Sequence, residues 1–399
     1  MQSGAHGQNK GNRAALAPAA AEIDGGAFDM STYLELRDSA ADNTRVQAVC
    51  CAMAEAIHRT GILVVRDPRV SADDNNTFQT LMQRYYSQSV DDLAVDARPD
   101  LFYQVGVTPD MKETAVCATD PDCHALMEEL APEDRPLLPT GPDPKWRFFW
   151  RIGERPSAAD TQFAELNAPP VVPLAFQEEW QSTMDGWGHK LLEAVSTVAE
   201  MIAIGWGQPR DIFTSRMHLG PHLLAPTGSD LARYNTPGTV FAGWHTDVSF
   251  LTIHGKSNFP GLSVWTREGK KIGVTVPEGC LLVQAGQQLE YLTGGHVKAG
   301  YHEVVLSNTA RDAASRAALV GESLWRISST VFAHINSDCI LEPLLQGGEP
   351  ERGEGGEGDE EQDKQHSFPP VQAGAFVAAE LEKIFAATRQ ESDGSGSKL

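Results

Sequence analysis

From about residue 215 onwards the chain consists of short β-forming segments separated by turn residues. Segments such as TVFAGWH, SFLTIHG, CLLVQAG and LWRISSTVFAHI are rich in β-branched and aromatic residues, and glycine or proline stands between most of them. Closely spaced short strands with such turns are typical of an antiparallel sandwich or barrel. This part of the chain therefore predicts a mainly β core.

The residues before 215 have a different pattern. Polar Asn43 and Thr44 precede an apolar helical stretch that Gly61 ends, and ILVVRD follows as a strand. The region between about 91 and 173 is rich in proline, aspartate and glycine, which predicts loops with short elements. We expect an α+β protein with these parts: a disordered tail at 1–26, a mixed α/β region at 27–214 with a long helix at about 175–205, a β core at 215–346, an acidic low-complexity linker at 347–367, and a C-terminal helix and tail at 368–399.

Charge and cysteine content limit the partners and the compartment. The net charge of −22 repels phosphate backbones, so we expect no nucleic-acid partner, and the acidic surface fits a soluble monomer. No apolar run reaches 18 residues, so no membrane span is expected. Six cysteines without a CxxC pattern indicate reduced thiols in a cytoplasmic protein. The final Ser397-Lys398-Leu399 matches a receptor-read peroxisomal address, which is the alternative location.

The stretch FAGWHTDVSF contains the only His-x-acid pair of the chain, His245 and Asp247. Side chains two apart on a strand point to the same side, so both can face one point inside a barrel. A second segment, KAGYHEVV, places His302 on another strand. Two imidazoles and one carboxylate on one face of a metal are the ligand set of non-haem Fe(II) oxygenases. A closed zinc site would want a fourth ligand, usually cysteine, and none is near in sequence.

The segment LWRISSTVF adds a basic residue and a hydroxyl on one strand face, Arg326 and Ser328. A guanidinium with a neighbouring hydroxyl binds a carboxylate well. Arg-x-Ser occurs four times, but only this instance lies in a β-rich segment after His302. The ordered set of His-x-Asp, a distant His and Arg-x-Ser is far more specific than any of its parts.

Residues 241–345 resemble the catalytic core of the isopenicillin N synthase-like Fe(II)/2-oxoglutarate-dependent dioxygenases. The resemblance rests on WHTDVSFLTI, SNFPGLSVW, PEGCLLVQAG, YLTGGHVKAGYHEV and RISSTVFAHINSD, in that order. Through AVCCAMAEAIHRTGILVV and LFYQVGVTPDMKE the resemblance extends over about residues 25–345. It implies a double-stranded β-helix (jelly-roll) with flanking helices and a metal held by His245, Asp247 and His302, the catalytic centre. It also implies that Arg326 and Ser328 bind the C5 carboxylate of 2-oxoglutarate.

Two departures from the family pattern stand out. The interval from His302 to Arg326 contains the additional segment TARDAASRAALVGES, which predicts a helix near the mouth of the site. Many plant members have a tyrosine near RMHLGPHLL that helps to hold 2-oxoglutarate, and Leu219 takes that place here. The second departure weakens the 2-oxoglutarate assignment but not the iron assignment.

The resemblance implies an oxygenase that uses Fe(II), 2-oxoglutarate and O2 to hydroxylate or desaturate a small organic substrate, releasing succinate and CO2. One alternative is an isopenicillin N synthase-type iron oxidase that uses no 2-oxoglutarate, and another is a metal-binding jelly-roll without turnover. Candidate substrate contacts and pocket residues are Tyr103, Phe241, Phe332, His218 and His222. The substrate itself is not encoded in any readable motif.

Overall fold

The computed structural model describes residues 26–38, 43–345 and 368–395. The tail predicted at 1–26, except Gly26, lies outside the described residues. The linker predicted at 347–367 and the terminal Ser397-Lys398-Leu399 also lie outside them.

The strands run in the following order along the described chain: β1 (Phe28–Asp29), β2 (Ile62–Arg66), β3 (Gly106–Thr108), β4 (Trp146–Arg151), β5 (Leu223–Asp230), β6 (Val240–His245), β7 (Leu251–His254), β8 (Leu262–Trp265), β9 (Lys271–Gly273), β10 (Leu281–Ala285), β11 (His302–Val305), β12 (Trp325–Ala333), β13 (Ile340–Leu341) and β14 (Val371–Gln372). The α-helices are α1 (Ser31–Leu36), α2 (Asn43–Thr60), α3 (Ala72–Tyr86), α4 (Val90–Ala94), α5 (Pro121–Glu129), α6 (Trp180–Gly205), α7 (Thr214–Met217), α8 (Gln287–Leu292), α9 (Asn308–Leu319) and α10 (Ala373–Ser395).

Two antiparallel sheets form the core. The larger sheet has the order β1-β2-β10-β7-β12-β5-β4-β3, in which only β1 and β2 are parallel, and the smaller sheet has the order β6-β11-β8-β9. Residues of both sheets line one cavity between them. Strands of the predicted N-terminal region and of the predicted β core lie side by side in the larger sheet. The arrangement is that of a double-stranded β-helix whose sheets do not close into a barrel.

Helices cover the outer face of the larger sheet. Helix α6 is the longest of the described helices. It buries apolar residues at helical spacing: Trp180, Met184, Trp187, Leu191, Val195, Val198 and Ile202. Helix α2 packs closely on its C-terminal end, where a Cβ at Gly205 would lie 2.3 Å from the Cys50 carbonyl oxygen. An apolar stripe three to four residues apart explains why α6 lies against the sheet. This layer keeps the larger sheet rigid behind the cavity.

The structure corrects one expectation about local structure and specifies another. Helix α6 begins at Trp180 rather than near 175, and residues 174–176 form a separate 3-10 turn. The segment KWRFFWR lies in the region predicted as loops with short elements, and its residues Trp146–Arg151 are one such element, β4 of the larger sheet. Its alternation of aromatic and basic residues fits a strand with two different faces. The expected helical insertion after His302 is present as α9.

The expectation that all cysteines are reduced is wrong for one pair. Cys117 and Cys123 form a disulfide that joins the 3-10 turn Val116–Ala118 to α5, with their Cα atoms 5.2 Å apart. The spacing of six residues gives no CxxC signal, which is why the sequence does not reveal the pair. Among the described helices, none combines the length and the apolar character that crossing a bilayer requires.

Candidate metal centre and active site

Two strands of the smaller sheet bring three metal-binding types of side chain to one point. His245 ends β6, His302 begins β11, and the two residues lie opposite each other in the antiparallel pair. Asp247 follows two residues after β6, and its Oδ1 lies 3.7 Å from Nε2 of each histidine. One ligand atom from each residue lies within 4.8 Å of the other two. The structure thus brings together the three residues that the sequence predicts as ligands.

This donor set fits a divalent iron ion. Two imidazoles and one carboxylate supply three donors and leave further coordination positions open. Burial and the neighbouring His302 lower the pKa of His245 to about 3. Burial opposes ionisation of Asp247, but the imidazoles of His302 and His245 hold its pKa below the usual range. Neutral imidazole and ionised carboxylate are the forms that bind a metal, and these two pKa shifts favour those forms at His245 and Asp247 at neutral pH.

Backbone carbonyls orient both imidazole rings. Nδ1 of His245 lies 2.6 Å from the Gly243 carbonyl oxygen, and Nδ1 of His302 lies 3.2 Å from the Gly300 carbonyl oxygen. An imidazole that donates from Nδ1 to a carbonyl keeps Nε2 as a lone-pair donor. Nε2 of each ring is the nitrogen that faces Asp247. The carbonyl contacts thus favour the tautomer that leaves Nε2 available to a metal, although Nδ1 of His302 also lies 3.5 Å from Nε2 of Gln284.

The larger sheet orients the carboxylate across the cavity. Thr252 on β7 donates a hydrogen bond of 2.6 Å from Oγ1 to Oδ2 of Asp247, and both side chains are buried. This bond leaves Oδ1 directed at the two histidines.

Replacing Thr252 with valine is expected to weaken Fe(II) binding by about 10- to 100-fold, because partners that orient ligands typically contribute that much. The substitution preserves volume and removes the hydroxyl that holds Asp247. Fe(II) titration of the apoprotein measures the effect, with Thr80→Val on the exposed face of α3 as control. An unchanged Fe(II) affinity in Thr252→Val would show that the hydrogen bond does not position the ligand.

The three residues line a cavity of about 360 Å³ between the sheets. A second cavity of about 320 Å³ also borders His245, and Lys383 and Ile384 of α10 form part of its wall. Lys145, Arg147 and His245 border both cavities. His245 therefore borders two cavities, and the C-terminal helix forms part of the wall of the second one.

Arg326 and Ser328 lie on β12 and line the first cavity, as the sequence predicts. Arg326 is 5% exposed, and no described acid forms an ion pair with it. Its Nε donates a hydrogen bond of 3.2 Å to the Pro260 carbonyl oxygen. Burial lowers the pKa of Arg326 to about 10, so the side chain stays cationic at neutral pH. Arg326 is thus a buried cation with no ion-pair partner among the described residues, and it lines the same cavity as the triad. Such a cation is suited to bind the carboxylate of a ligand.

The sequence analysis did not anticipate a buried charge network behind β6. Lys145 lies 2.6 Å from Asp143 Oδ2 and 3.3 Å from Glu113 Oε2, and Arg147 contacts the other oxygen of Glu113. Asp143 also accepts a hydrogen bond of 3.3 Å from the backbone N–H of Gly243. The basic residues of KWRFFWR were the available signal. Their acidic partners come from loops, and no periodic pattern identifies them.

The other predicted pocket residues divide into two groups. Phe241 and Phe332 line the cavity, whereas Tyr103 is not among its lining residues. His222 is buried outside the cavity lining, where Nδ1 accepts a 3.1 Å hydrogen bond from the His334 backbone N–H. His218 is exposed and does not line the cavity either.

The expectation about Leu219 is wrong. Leu219 lies in the turn before β5 with a φ of 60°, and it does not line the cavity. The residues of β5 that do so are Thr227 and Ser229. The strand that supplies the lining residues, β5, begins only at Leu223, four residues after Leu219. Leu219 therefore gives no argument against 2-oxoglutarate.

Comparison with known proteins supports the same chemistry. Residues 226–335 match the family model of the 2OG-Fe(II) oxygenase superfamily, whose members use Fe(II), 2-oxoglutarate and O2. Gibberellin 3-beta-dioxygenase 3 of Arabidopsis thaliana is 29% identical over 143 residues, which is 33% of this chain and 39% of that protein. The 2-oxoglutarate-Fe(II) type oxidoreductase ppzC of Metarhizium majus is 24% identical over 62% of this chain and 65% of its own. The chain thus spans less than two thirds of either relative.

Solved structures share the fold. A full-length protein of Neurospora crassa, solved in complex with alpha-KG, superposes with a TM-score of 0.65 at 17% identity, covering 89% of this chain and 95% of that one. A 2OG-Fe(II) oxygenase family protein from Caulobacter crescentus gives a TM-score of 0.64 at 19% identity, covering 90% and 99%. The double-stranded β-helix predicted from the sequence is confirmed.

Proposed function

We propose that this chain, which carries a 2OG-Fe(II) oxygenase domain at residues 226–335, is an Fe(II)- and 2-oxoglutarate-dependent oxygenase. It would hydroxylate or desaturate a small organic substrate and release succinate and CO2. One observation carries the proposal: a single cavity is lined by three side chains that can bind one metal ion and by a buried guanidinium, that of Arg326. No described acid forms an ion pair with this guanidinium. The first suits a metal with open positions and the second suits a dicarboxylate that reaches it.

Each group has a definite task in this proposal. His245, Asp247 and His302 would hold the iron. The backbone carbonyls of Gly243 and Gly300 would fix the orientation of the two imidazole rings. Bound iron with 2-oxoglutarate and O2 would supply the oxidising power for attack on a C–H bond. The protein contributes position and the exclusion of water.

The far carboxylate of 2-oxoglutarate would lie against Arg326 and Ser328. Ser328 Oγ is 2.9 Å from Thr330 Oγ1, so two hydroxyls follow the guanidinium along the same face of β12. The cation would gain the counter-ion that it lacks among the described residues. A charge-assisted pair in a buried cavity fixes the end of the co-substrate that does not react.

Apolar walls indicate the kind of substrate. Phe241 and Phe332 border the cavity, whose volume of about 360 Å³ lies at the small end of ligand sites. The same proposal takes the chain to act as a monomer without nucleic acid, because its net charge of −22 opposes binding to phosphate backbones.

Release of succinate tests the proposal against its alternatives. The purified chain with Fe(II), ascorbate and carboxyl-labelled 2-oxoglutarate is expected to release CO2 and succinate slowly in air and not under nitrogen. Iron binding without decarboxylation, in the presence of a broad substrate mixture, would favour the oxidase in which Arg326 binds a substrate carboxylate. Iron binding without any O2 consumption would favour a binding protein.

A further inference from the structure

We propose that Arg151, at the opposite end of the same sheet face from Arg326, binds an anionic group of the substrate. The inference rests on the proposed function, since it defines the substrate of that reaction as a small organic acid. It follows from the register of the larger sheet, from burial and from the absence of any described counter-ion.

Strand pairing places Arg151 on the sheet face that lines the cavity, beyond Phe332, the last lining residue on that side of the row, and Arg151 itself is not among the lining residues. Arg151 is opposite Leu223, Leu223 is opposite Phe332, and Phe332 is opposite Thr252. Directly opposed residues share a face, and Phe332 and Thr252 line the cavity. Arg151 therefore lies in the row of residues that includes Thr252, the hydrogen-bond donor to Asp247.

Arg151 also lies far along the sheet from Arg326, the residue proposed to bind the far carboxylate of 2-oxoglutarate. Arg326 is opposite Ser229 on β5, whereas Phe332, six residues further along β12, marks the row of Arg151. At about 3.3 Å per residue this is a distance of roughly 20 Å along the sheet. The proposed 2-oxoglutarate extends from Arg326 to the metal ligands beside Thr252, whereas Arg151 lies three strands away from Thr252 within their row, roughly 14 Å at about 4.8 Å per strand. A second anion is needed to neutralise Arg151.

The guanidinium of Arg151 has no described partner. The residue is 5% exposed, and its Nε and Nη1 make no hydrogen bond to any described atom. No described carboxylate forms an ion pair with it, and the nearest charged influence is the cation Arg155. Burial, reinforced by Arg155, lowers the pKa of Arg151 to about 9, which still leaves it cationic at neutral pH.

The neighbouring imidazoles do not compensate this charge. Burial lowers the pKa values of His222 and His334 to about 3, with Arg151 contributing to both, so both rings are neutral. Arg147, which precedes Arg151 on β4, is by contrast paired with Glu113. The chain thus neutralises one interior arginine of β4 with its own carboxylate and leaves the other for a ligand. An unpaired buried charge costs stability, which is expected where a binding partner supplies the counter-charge.

Stability gives the first test. Arg151→Met should unfold at the same or a higher temperature than the wild-type full chain, because it removes an unpaired buried cation. Arg155→Met, the same change at an exposed neighbour, serves as control. A marked fall in the melting temperature of Arg151→Met alone would show that the guanidinium holds the fold together, and would overturn the proposal.

Ligand binding gives the second test. The probes are formate, benzoate, phenylacetate, cinnamate and decanoate with their carboxamides, added anaerobically to the Fe(II)- and 2-oxoglutarate-loaded chain. Binding is followed by perturbation of the charge-transfer absorption and by the melting temperature. At least one acid is expected to bind ten times or more tightly than its amide, and Arg151→Met should remove that difference while Arg151→Lys retains part of it.

The two proposals fail in different ways. If no acid binds the wild type better than its amide, or if Arg151→Met keeps the preference, Arg151 is not the anion receptor. If the wild-type chain never forms the charge-transfer absorption, the oxygenase proposal fails, while the melting temperature of the metal-free chain with the same acids still reports on Arg151. Unchanged 2-oxoglutarate binding in Arg151→Met is expected in every case in which the account holds.

Discussion

Replacing His245 with alanine is expected to abolish iron binding and 2-oxoglutarate turnover together. The residue supplies one of three donors that converge within 4.8 Å, and the other two cannot enclose a metal alone. Iron content should fall from about one per chain to near zero, and turnover by at least about 1000-fold. The metal-free protein should remain folded, because neutral His245 forms no ion pair that the fold needs at neutral pH. Elemental analysis and circular dichroism measure the two quantities.

His254 provides the matched control for this variant. It lines the same cavity on β7 and is close enough to Asp247 for their charges to interact, but it is not one of the three converging donors. His254→Ala should therefore still bind about one iron per chain. Equal loss of iron from both variants would mean that the metal is not held by the three residues proposed.

Replacing Arg326 with glutamine is expected to raise the KM for 2-oxoglutarate by about 100- to 5000-fold, with Fe(II) affinity unchanged. Breaking a buried ion pair by removing one partner typically costs about 3–5 kcal/mol, because the other charge is left buried and unpaired. Arg326 is 5% exposed, and no described acid forms an ion pair with it. The carboxylate of the co-substrate would therefore supply the counter-ion that the described residues do not. Steady-state succinate release at varied 2-oxoglutarate measures the change.

Ser328→Ala gives a graded comparison at the same site. A single neutral hydroxyl contributes about 1 kcal/mol, so the KM for 2-oxoglutarate should rise by only about 5- to 10-fold. A normal KM in Arg326→Gln would remove 2-oxoglutarate from this end of the cavity. The oxidase alternative would then require a different substrate-binding role for Arg326.

Local pattern was sufficient to predict the fold class and to find the candidate triad. His245 and Asp247 are two residues apart, and a period of two places both on one side of an extended chain. His302 was predicted as the third ligand because short strands and turns separate it from Asp247. Such strands and turns allow the chain to fold back and bring His302 next to His245 and Asp247. The structure shows this return as direct pairing of His302 with His245. The metal-binding role of the three residues stays a prediction until iron is measured.

The sequence did not allow us to predict which strands pair with each other in the larger sheet or in which register. Arg151 acquires its position only because β4 pairs with β5 and β5 with β12, and no local signal encodes that order. The same holds for Lys145, whose partners Glu113 and Asp143 come from loops. Leu219 was wrongly matched to a residue of the site for a related reason, since which residues near β5 face the cavity depends on the pairing of β5 with β4 and β12.

Anaerobic visible absorption of the purified chain tests the central claim most directly. Fe(II) is added to the apoprotein first, followed by 2-oxoglutarate. The account predicts a metal-to-ligand charge-transfer band that appears only after 2-oxoglutarate is added, is absent in His245→Ala and needs far more 2-oxoglutarate in Arg326→Gln. Bound iron that gives no band at any 2-oxoglutarate concentration would contradict the oxygenase assignment.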